Sequence, residues 1–170
     1  MSGLDMLLFW VIVVCGYTDF KYRKIYNIVL FPALLLALLY QLKLFGLSGF
    51  YDWGQGLLLG LAFLLIPYLL GGMGAGDVKL LGVIGAIKGP VFVFYCFIGA
   101  AIIGGLMSVG LLLYRKKLSQ VIGNIGFVLF NVATSGISNT KTALSSADDS
   151  TSLPYGLAIA GGAMLAYLVI

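Results

Sequence analysis

Histidine and glutamate are absent from this chain of 170 residues, and it contains only two cysteines. Without histidine, a serine or cysteine nucleophile activated by an imidazole base is excluded. A zinc site is also disfavoured, because such sites are built mainly from cysteine and histidine. Cys15 and Cys96 lie in apolar runs without metal-ligand spacing, so we interpret both as small buried hydrophobic residues.

Charged side chains are scarce as well. They make up 9% of the chain against 61% hydrophobic residues, and the mean hydropathy is +1.09. These values predict an integral membrane protein with lipid as its main solvent. The N-terminal run has neither the basic start nor the cleavage site of a signal peptide, which predicts a retained first span. The net charge of +4 does not indicate nucleic-acid binding, because the basic residues stand at the ends of apolar runs.

Six apolar segments predict an all-α membrane protein with six transmembrane helices in a single domain, residues 1–170. A full span needs about 20 residues, and the fourth segment is shorter because Gly89-Pro90 interrupts it. We expect that segment to be either a short helix or a helix that continues with a kink through Pro90. The predicted spans are residues 4–18, 28–45, 54–70, 78–87, 91–114 and 153–170.

The segment 115–152 differs in composition from the six spans. Within it, polar and apolar residues of 118–137 fall on opposite faces at helical spacing, which predicts an amphipathic helix at the cytoplasmic membrane surface. The serines, threonines and aspartates of 138–152 predict a loop.

The basic residues predict the orientation in the membrane. With six spans, eight of the ten fall on one side, and only Lys43 and Lys88 fall on the other. The positive-inside rule then places both termini outside and two acids, Asp19 and Asp77, on the cytoplasmic face. The eight predicted cytoplasmic residues are Lys21, Arg23, Lys24, Lys79, Arg115, Lys116, Lys117 and Lys141.

Asp19 and Asp77 are the strongest candidates for a functional site. A carboxylate at the edge of the hydrocarbon is costly, so it is a candidate for function. Gly71, Gly72, Gly74 and Gly76 precede Asp77 and predict a close-packing, non-helical backbone there. If the two carboxylates lie together, they share one proton, and such a pair can hydrolyse an amide bond through an activated water.

Other interpretations of these acids remain open. Asp19 and Asp77 could form interfacial ion pairs with Lys21 and Lys79, or act as a proton relay in a small proton-coupled transporter. The remaining aspartates are interpreted as solvated loop or end charges without a function: Asp5, Asp52, Asp148 and Asp149.

Three sequence motifs resemble those of type IV prepilin peptidases, which are intramembrane aspartic proteases. Gly74-Ala75-Gly76-Asp77-Val78-Lys79 resembles the Gly-x-Gly-Asp signature of that family. Thr18-Asp19-Phe20-Lys21-Tyr22-Arg23-Lys24-Ile25-Tyr26-Asn27 resembles its first catalytic segment, an Asp followed by basic residues and Ile-Pro-Asn. Leu153-Pro154-Tyr155-Gly156 resembles the Pro-aromatic-Gly that opens its last helix. The motifs occur in the family's order.

The resemblance implies an aspartic endopeptidase with Asp19 and Asp77 as its catalytic pair. It would remove the short basic leader from type IV prepilins or pilin-like precursors at the cytoplasmic face of the cell membrane, without a metal or other cofactor. The residues that would bind substrate or shape the site are Gly74, Gly76, Lys79, Asn27, Pro154, Tyr155 and Gly156.

Two departures from the family pattern limit what the resemblance implies. The cysteine-containing cytoplasmic insertion of larger members is missing, so neither zinc nor their N-methyltransferase activity is implied. Tyr26 stands where proline is usual, which leaves the shape of the turn after Asp19 open. The size is similar to compact peptidases of tight-adherence pilus systems and to archaeal preflagellin peptidases. A non-catalytic pilus-assembly subunit and a homo-oligomer also stay open.

Overall fold

The computed structural model describes residues 3–69, 72–114 and 155–170, and over these ranges the fold is all-α, as predicted. The predicted amphipathic helix and loop at 115–152, together with Pro154, lie outside the described residues. The six helices within these ranges are α1 (Gly3–Tyr22), α2 (Asn27–Phe45), α3 (Leu47–Leu69), α4 (Ala75–Lys88), α5 (Pro90–Tyr114) and α6 (Tyr155–Val169).

Four of these helices, α1, α2, α3 and α5, are long and apolar enough to cross a membrane. Together they make the chain a multi-pass membrane protein. By contrast, α4 and α6 have only 14 and 15 residues, or about 21–23 Å at 1.5 Å per residue, which is less than the hydrocarbon thickness of about 30 Å. Described residues up to 104 and from 155 onward belong to one compact unit, and α5 from Gly105 onward belongs to a second.

Two helices extend beyond the apolar segments that predicted them. α1 continues to Tyr22, so Asp19 lies in its last turn rather than after its end. α3 begins at Leu47 instead of residue 54, and the exposed Asp52 is therefore part of a helix rather than of a loop. Hydropathy identifies the part of a helix that can lie in the hydrocarbon core of the membrane. The helix itself can continue beyond that part into the membrane–water interface, because its backbone hydrogen bonds do not depend on apolar side chains.

The glycine-rich segment before Asp77 is only partly non-helical. Gly74 is extended, with φ −78° and ψ 147°, but Gly76 already belongs to α4, which corrects the expectation of a non-helical backbone up to Asp77. α4 ends at Lys88; the next residue, Gly89, has a φ of 87°, which favours glycine, and Pro90 begins α5. The fourth segment is thus the short helix of the two predicted alternatives.

α4 is the central helix of its unit, and it contacts α1, α2, α3 and α6. Its residues from Leu80 to Ile87 are all buried. Gly56 of α3 lies directly against Gly85, where a Cβ on either would collide with the other's backbone carbonyl, so the two helices pack at backbone distance. The buried Gln41 of α2 donates to the carbonyl oxygens of Ala86 and Ile87 at 2.7 and 3.2 Å. These two carbonyl groups lie in the last turn of α4, where the helix itself offers them no N–H donor.

A polar cluster joins three helix ends at the side of the molecule remote from Asp77. Asp5 of α1 forms a salt bridge with Lys88 of α4 and accepts a hydrogen bond of 2.9 Å from the hydroxyl of Tyr167 in α6. The Lys88 ammonium also lies 4.7 Å from the centre of the Tyr167 ring. The interpretation of Asp5 as a solvated end charge is therefore wrong, because Asp5 is paired with Lys88. The pair was not predicted, since the two residues lie far apart in the sequence. The cluster also shows that α1 runs antiparallel to α4 and α6.

Candidate active site

Asp19 lies where the last turn of α1 meets the first turn of α6. Its side chain is buried, and its Oδ2 accepts a hydrogen bond of 2.7 Å from the backbone N–H of Gly156. The backbone N–H of Leu157 is a second donor to this carboxylate. These N–H groups belong to the first turn of α6, where no intrahelical acceptor exists and the helix dipole is positive. The α6 N-terminus therefore stabilises a negative charge on Asp19.

Gly156 allows this contact because it has no side chain. A Cβ at this position would lie 2.7 Å from Oδ2 of Asp19, closer than real Cβ contacts allow. A larger residue would displace the carboxylate from the N–H groups that hold it. In the motif Leu153-Pro154-Tyr155-Gly156, the glycine therefore contacts Asp19. The half-buried Tyr155 does not: its hydroxyl lies against Gly104 of α5.

Asp77 is the third residue of α4, one turn from its N-terminal end. Gly74, the residue that precedes the helix, accepts a hydrogen bond of 3.2 Å from the Asp77 N–H, and its own N–H donates to the Asp77 carboxylate. The bond to the Asp77 carboxylate is one half of a capping box, in which the side chain of the third helical residue accepts the N–H of the N-cap; the other half needs an N-cap side chain, which Gly74 lacks. This bond fixes the Asp77 side chain at the start of the central helix.

The surroundings of Asp77 favour its protonated form. Asp77 precedes Val78 and the other buried residues of α4, and burial raises the pKa of its carboxyl to about 6. The negative charge of Asp19 raises this pKa as well, while the N–H of Gly74 acts in the opposite direction. The influence of Asp19 shows that the two acids are close enough to interact electrostatically.

Both carboxylates line one cavity of about 350 Å³. The structure therefore brings together two acids that are far apart in the sequence and that the topology argument had placed only on the same face. Water molecules and a segment of extended peptide fit a cavity of this size. The lining residues are Asp19, Arg23, Lys24, Ile25, Tyr26, Asn27, Gly74, Gly76 and Asp77.

Four of these lining residues were not among the site residues suggested by the motifs: Arg23, Lys24, Ile25 and Tyr26. They belong to the turn between α1 and α2, in which Arg23 adopts a positive φ of 51°. Ile25 covers Gly76, where a Cβ would lie 3.0 Å from the Cβ of Ile25. The position of these residues shortly after Asp19 was the available signal, but Arg23 and Lys24 entered only the topology argument, through their charge.

Within the described ranges, Lys79 forms a hydrogen bond with Asn27 and no ion pair with Asp77. Its Nζ donates to Oδ1 of Asn27 at 3.1 Å, and it does not line the cavity that holds the two acids. In the described part of the chain, neither the Asp77–Lys79 nor the Asp19–Lys21 ion pair forms; Lys21 contacts the hydroxyl of Tyr17 instead. Residues 3–69, 72–114 and 155–170 contain no group of three acidic, histidine or cysteine side chains that could hold a metal. Cys15 and Cys96 are buried, as predicted.

Two carboxyl groups at the edge of a buried region can divide between an ionised and a protonated form, because a second charge beside the first is costly. Such a pair can activate water and protonate a carbonyl oxygen in the same cavity.

The chain was compared with known protein families, with curated proteins and with solved structures. The model of the type IV leader peptidase family matches residues 6–109, a range that includes both acids. No curated protein and no solved structure matches the chain.

Proposed function

The chain belongs to the type IV leader peptidase family, and on that premise we propose that it is an aspartic endopeptidase. Its substrates are prepilins or pilin-like precursors, from which it removes a short leader at the cytoplasmic face of the cell membrane. The single observation that carries the aspartic mechanism is the cavity that Asp19 and Asp77 line together. Neither Asp5 nor Asp52, the other acids in the described ranges, lines it.

The different surroundings of the two acids support different roles. Asp19 receives two backbone N–H groups at the positive end of α6, so we assign it the ionised form and the role of general base. Asp77 has its pKa raised to about 6 by burial and by the charge of Asp19, so it is the member of the pair to which we assign the shared proton in the active form of the enzyme. This division matches the requirement that one acid accepts a proton while the other donates one.

In the proposed reaction, Asp19 takes a proton from water, and the resulting hydroxide adds to the carbonyl carbon of the scissile bond. Asp77 gives its proton to the carbonyl oxygen, so that a neutral diol forms. Asp19 then passes its proton to the leaving nitrogen while Asp77 takes the proton of one diol hydroxyl. The C–N bond breaks, a carboxyl group and an amine are released, and both acids return to their starting forms.

The distribution of basic residues supports a cytoplasmic location for the site. At the end of the molecule that carries the cavity, the described chain has Lys21, Arg23, Lys24 and Lys79. The opposite helix ends carry Lys43 and Lys88. The positive-inside rule assigns the more basic end to the cytoplasm, where a leader that has not crossed the membrane is accessible.

The test is to incubate the purified protein with a prepilin-like precursor in lipid and to measure the products by mass spectrometry. The proposal predicts two fragments whose masses sum to that of the precursor plus one water. It also predicts that Asp77→Asn abolishes cleavage, while Asp52→Asn, which changes an exposed acid outside the cavity, does not. A precursor that is bound without being cut would instead identify a non-catalytic assembly subunit.

A further inference from the structure

A second cavity of about 210 Å³ lies beside the candidate active site, and it is almost entirely apolar. It is a groove between α2, α3 and α4, and its rim residue Phe31 is 62% exposed, so that the groove opens to the lipid-facing surface. Its walls are formed by Leu30, Phe31, Leu34, Leu57, Leu61 and Val83, and its polar end by Asn27 and Lys79. We refer to it as the α2–α4 groove.

The α2–α4 groove continues from the candidate active site. Asn27 lines both cavities, and its hydrogen bond with Lys79 stands at the boundary between them. On one side of this pair lie two carboxyl groups and charged turn residues, and on the other side the walls are aliphatic and aromatic. A peptide that follows both cavities therefore meets a polar environment first and an apolar one directly afterwards.

The dimensions of the groove define the segment that it can hold. From Asn27 to Leu34 the wall of α2 covers eight residues, or about 10 Å between the first and the last at 1.5 Å per residue, which corresponds to two helical turns. A peptide that enters lipid at this point must be helical, because its backbone groups find no other hydrogen-bond partners there. An apolar helix lying against a groove of this kind is a recurrent mode of peptide recognition.

We propose that the α2–α4 groove binds the first two turns of an apolar helix that begins directly after the scissile bond of the substrate. The inference rests on the proposed protease function and adds a substrate-binding site to it. The Asn27–Lys79 pair then marks the change from polar to apolar sequence in the substrate. Through this boundary the groove sets which peptide bond reaches Asp19 and Asp77.

The kinetic test uses two tryptophan variants of adjacent residues in α2. Leu34→Trp fills the groove, whereas Leu35→Trp adds the same side chain at a position that is 59% exposed and outside the groove. Each variant is assayed with a full precursor and with a short peptide that ends a few residues after the scissile bond. We expect Leu34→Trp to raise the KM for the precursor about tenfold or more, with the rate on the short peptide changed less than about twofold. Leu35→Trp should leave both values unchanged.

Cross-linking provides a second readout that does not require turnover. A photoreactive p-benzoyl-phenylalanine replaces either Leu34 or Leu35 in the Asp77→Asn background, and the precursor is added in lipid vesicles. Cross-linking of the precursor's apolar helix from position 34 and not from position 35 supports the proposal. Cross-linking to lipid alone, equal cross-linking from both positions, or an unchanged KM in Leu34→Trp would overturn it.

The two proposals fail in distinguishable ways. If Asp19 and Asp77 are not catalytic, Asp77→Asn cleaves both the precursor and the short peptide. If only the groove assignment is wrong, Asp77→Asn is inactive on both substrates, while Leu34→Trp either leaves the precursor KM unchanged or slows both substrates equally.

Discussion

The backbone N–H of Gly156 donates a hydrogen bond of 2.7 Å to Oδ2 of Asp19, across 137 positions of sequence. This contact links the end of α1 to the start of α6 and directs a helix N-terminus at one of the two acids. Asp19 accepts from two backbone N–H groups and Asp77 from one, so this contact favours placing the negative charge of the pair on Asp19. The proposed division of roles depends on this difference.

Gly156→Ala should raise the activation free energy of cleavage by more than it lowers the free energy of unfolding. Its Cβ would lie 2.7 Å from Oδ2 of Asp19 and would move the carboxylate away from its N–H donors. Since a misplacement of about 1 Å can cost about 100-fold in rate, we expect kcat to fall by about 10- to 100-fold. Gly54→Ala is the matched control, because a Cβ there meets no atom within 4 Å. An unchanged kcat in Gly156→Ala would contradict the positioning role.

The cleavage rate should depend on pH through Asp77. Its acid form is needed to protonate the carbonyl oxygen, and its pKa is raised to about 6. We therefore expect kcat/KM to decrease as the pH rises through about 6, by about tenfold for each further pH unit. The measurement is a pH profile of kcat/KM with the short peptide. A profile that stays flat between pH 6 and 8 would contradict this assignment.

Two variants of Gly74 refine the same measurement. Gly74→Pro removes the N–H that lowers the pKa of Asp77, and the φ of −78° at this position suits proline. The decrease in kcat/KM should then begin at a higher pH than in the unmodified protein. Gly74→Ala keeps the N–H and is the control. A similar shift in both variants would mean that the added side-chain atoms, rather than the lost N–H, cause it.

The raised pKa of Asp77 also affects the stability of the fold. An acid with a folded-state pKa above its unfolded value stabilises the folded protein at low pH, and this contribution is lost as the pH rises through the folded pKa. The rise from 3.8 to about 6 corresponds to no more than about 3 kcal/mol, lost between about pH 4 and 6. Thermal unfolding in lipid should show this decrease, and Asp77→Asn should lack it.

The cluster at the opposite helix ends should matter for stability and not for chemistry. Asp5→Asn removes the charge that pairs with Lys88 and keeps a polar group near Tyr167. We expect the free energy of unfolding to decrease by about 1–3 kcal/mol, because a partly buried ammonium loses its counter-charge. At a temperature where the variant is folded, cleavage should stay within about twofold of the original rate. A selective loss of cleavage would place this cluster in the catalytic machinery.

The sequence predicted those parts of the fold that depend on lipid solvation. α2 was expected at 28–45 and spans Asn27–Phe45, because one long apolar run sets its length. A short α4 was one of the two alternatives that Gly89-Pro90 left open, and it forms because glycine adopts a positive φ there and proline starts the next helix. The predicted start of α3 was wrong, because the helix extends past the apolar run to include Asp52, and hydropathy does not detect that part of it.

The candidate site was predicted less completely than the helices. Asp19 and Asp77 were placed on one face by counting basic residues, and they line a common cavity. The resemblance implied that Gly156 shapes the site, but neither its contact with Asp19 nor that of Lys88 with Asp5 was predicted, because both contacts join residues far apart in the chain. Such pairs follow from the packing of α1, α4 and α6, and hydropathy carries no information about which helices are neighbours.

The central claim is that Asp19 and Asp77 act as one catalytic unit, and a double-mutant cycle on cleavage rate tests it most directly. The rate of leader removal is measured for Asp19→Asn, Asp77→Asn, the double variant and the original protein in the same lipid. Groups that act as a unit are strongly non-additive, so each single variant should lose as much activity as the double variant. Independent losses that multiply in the double variant, or normal leader removal by either single variant, would contradict the claim.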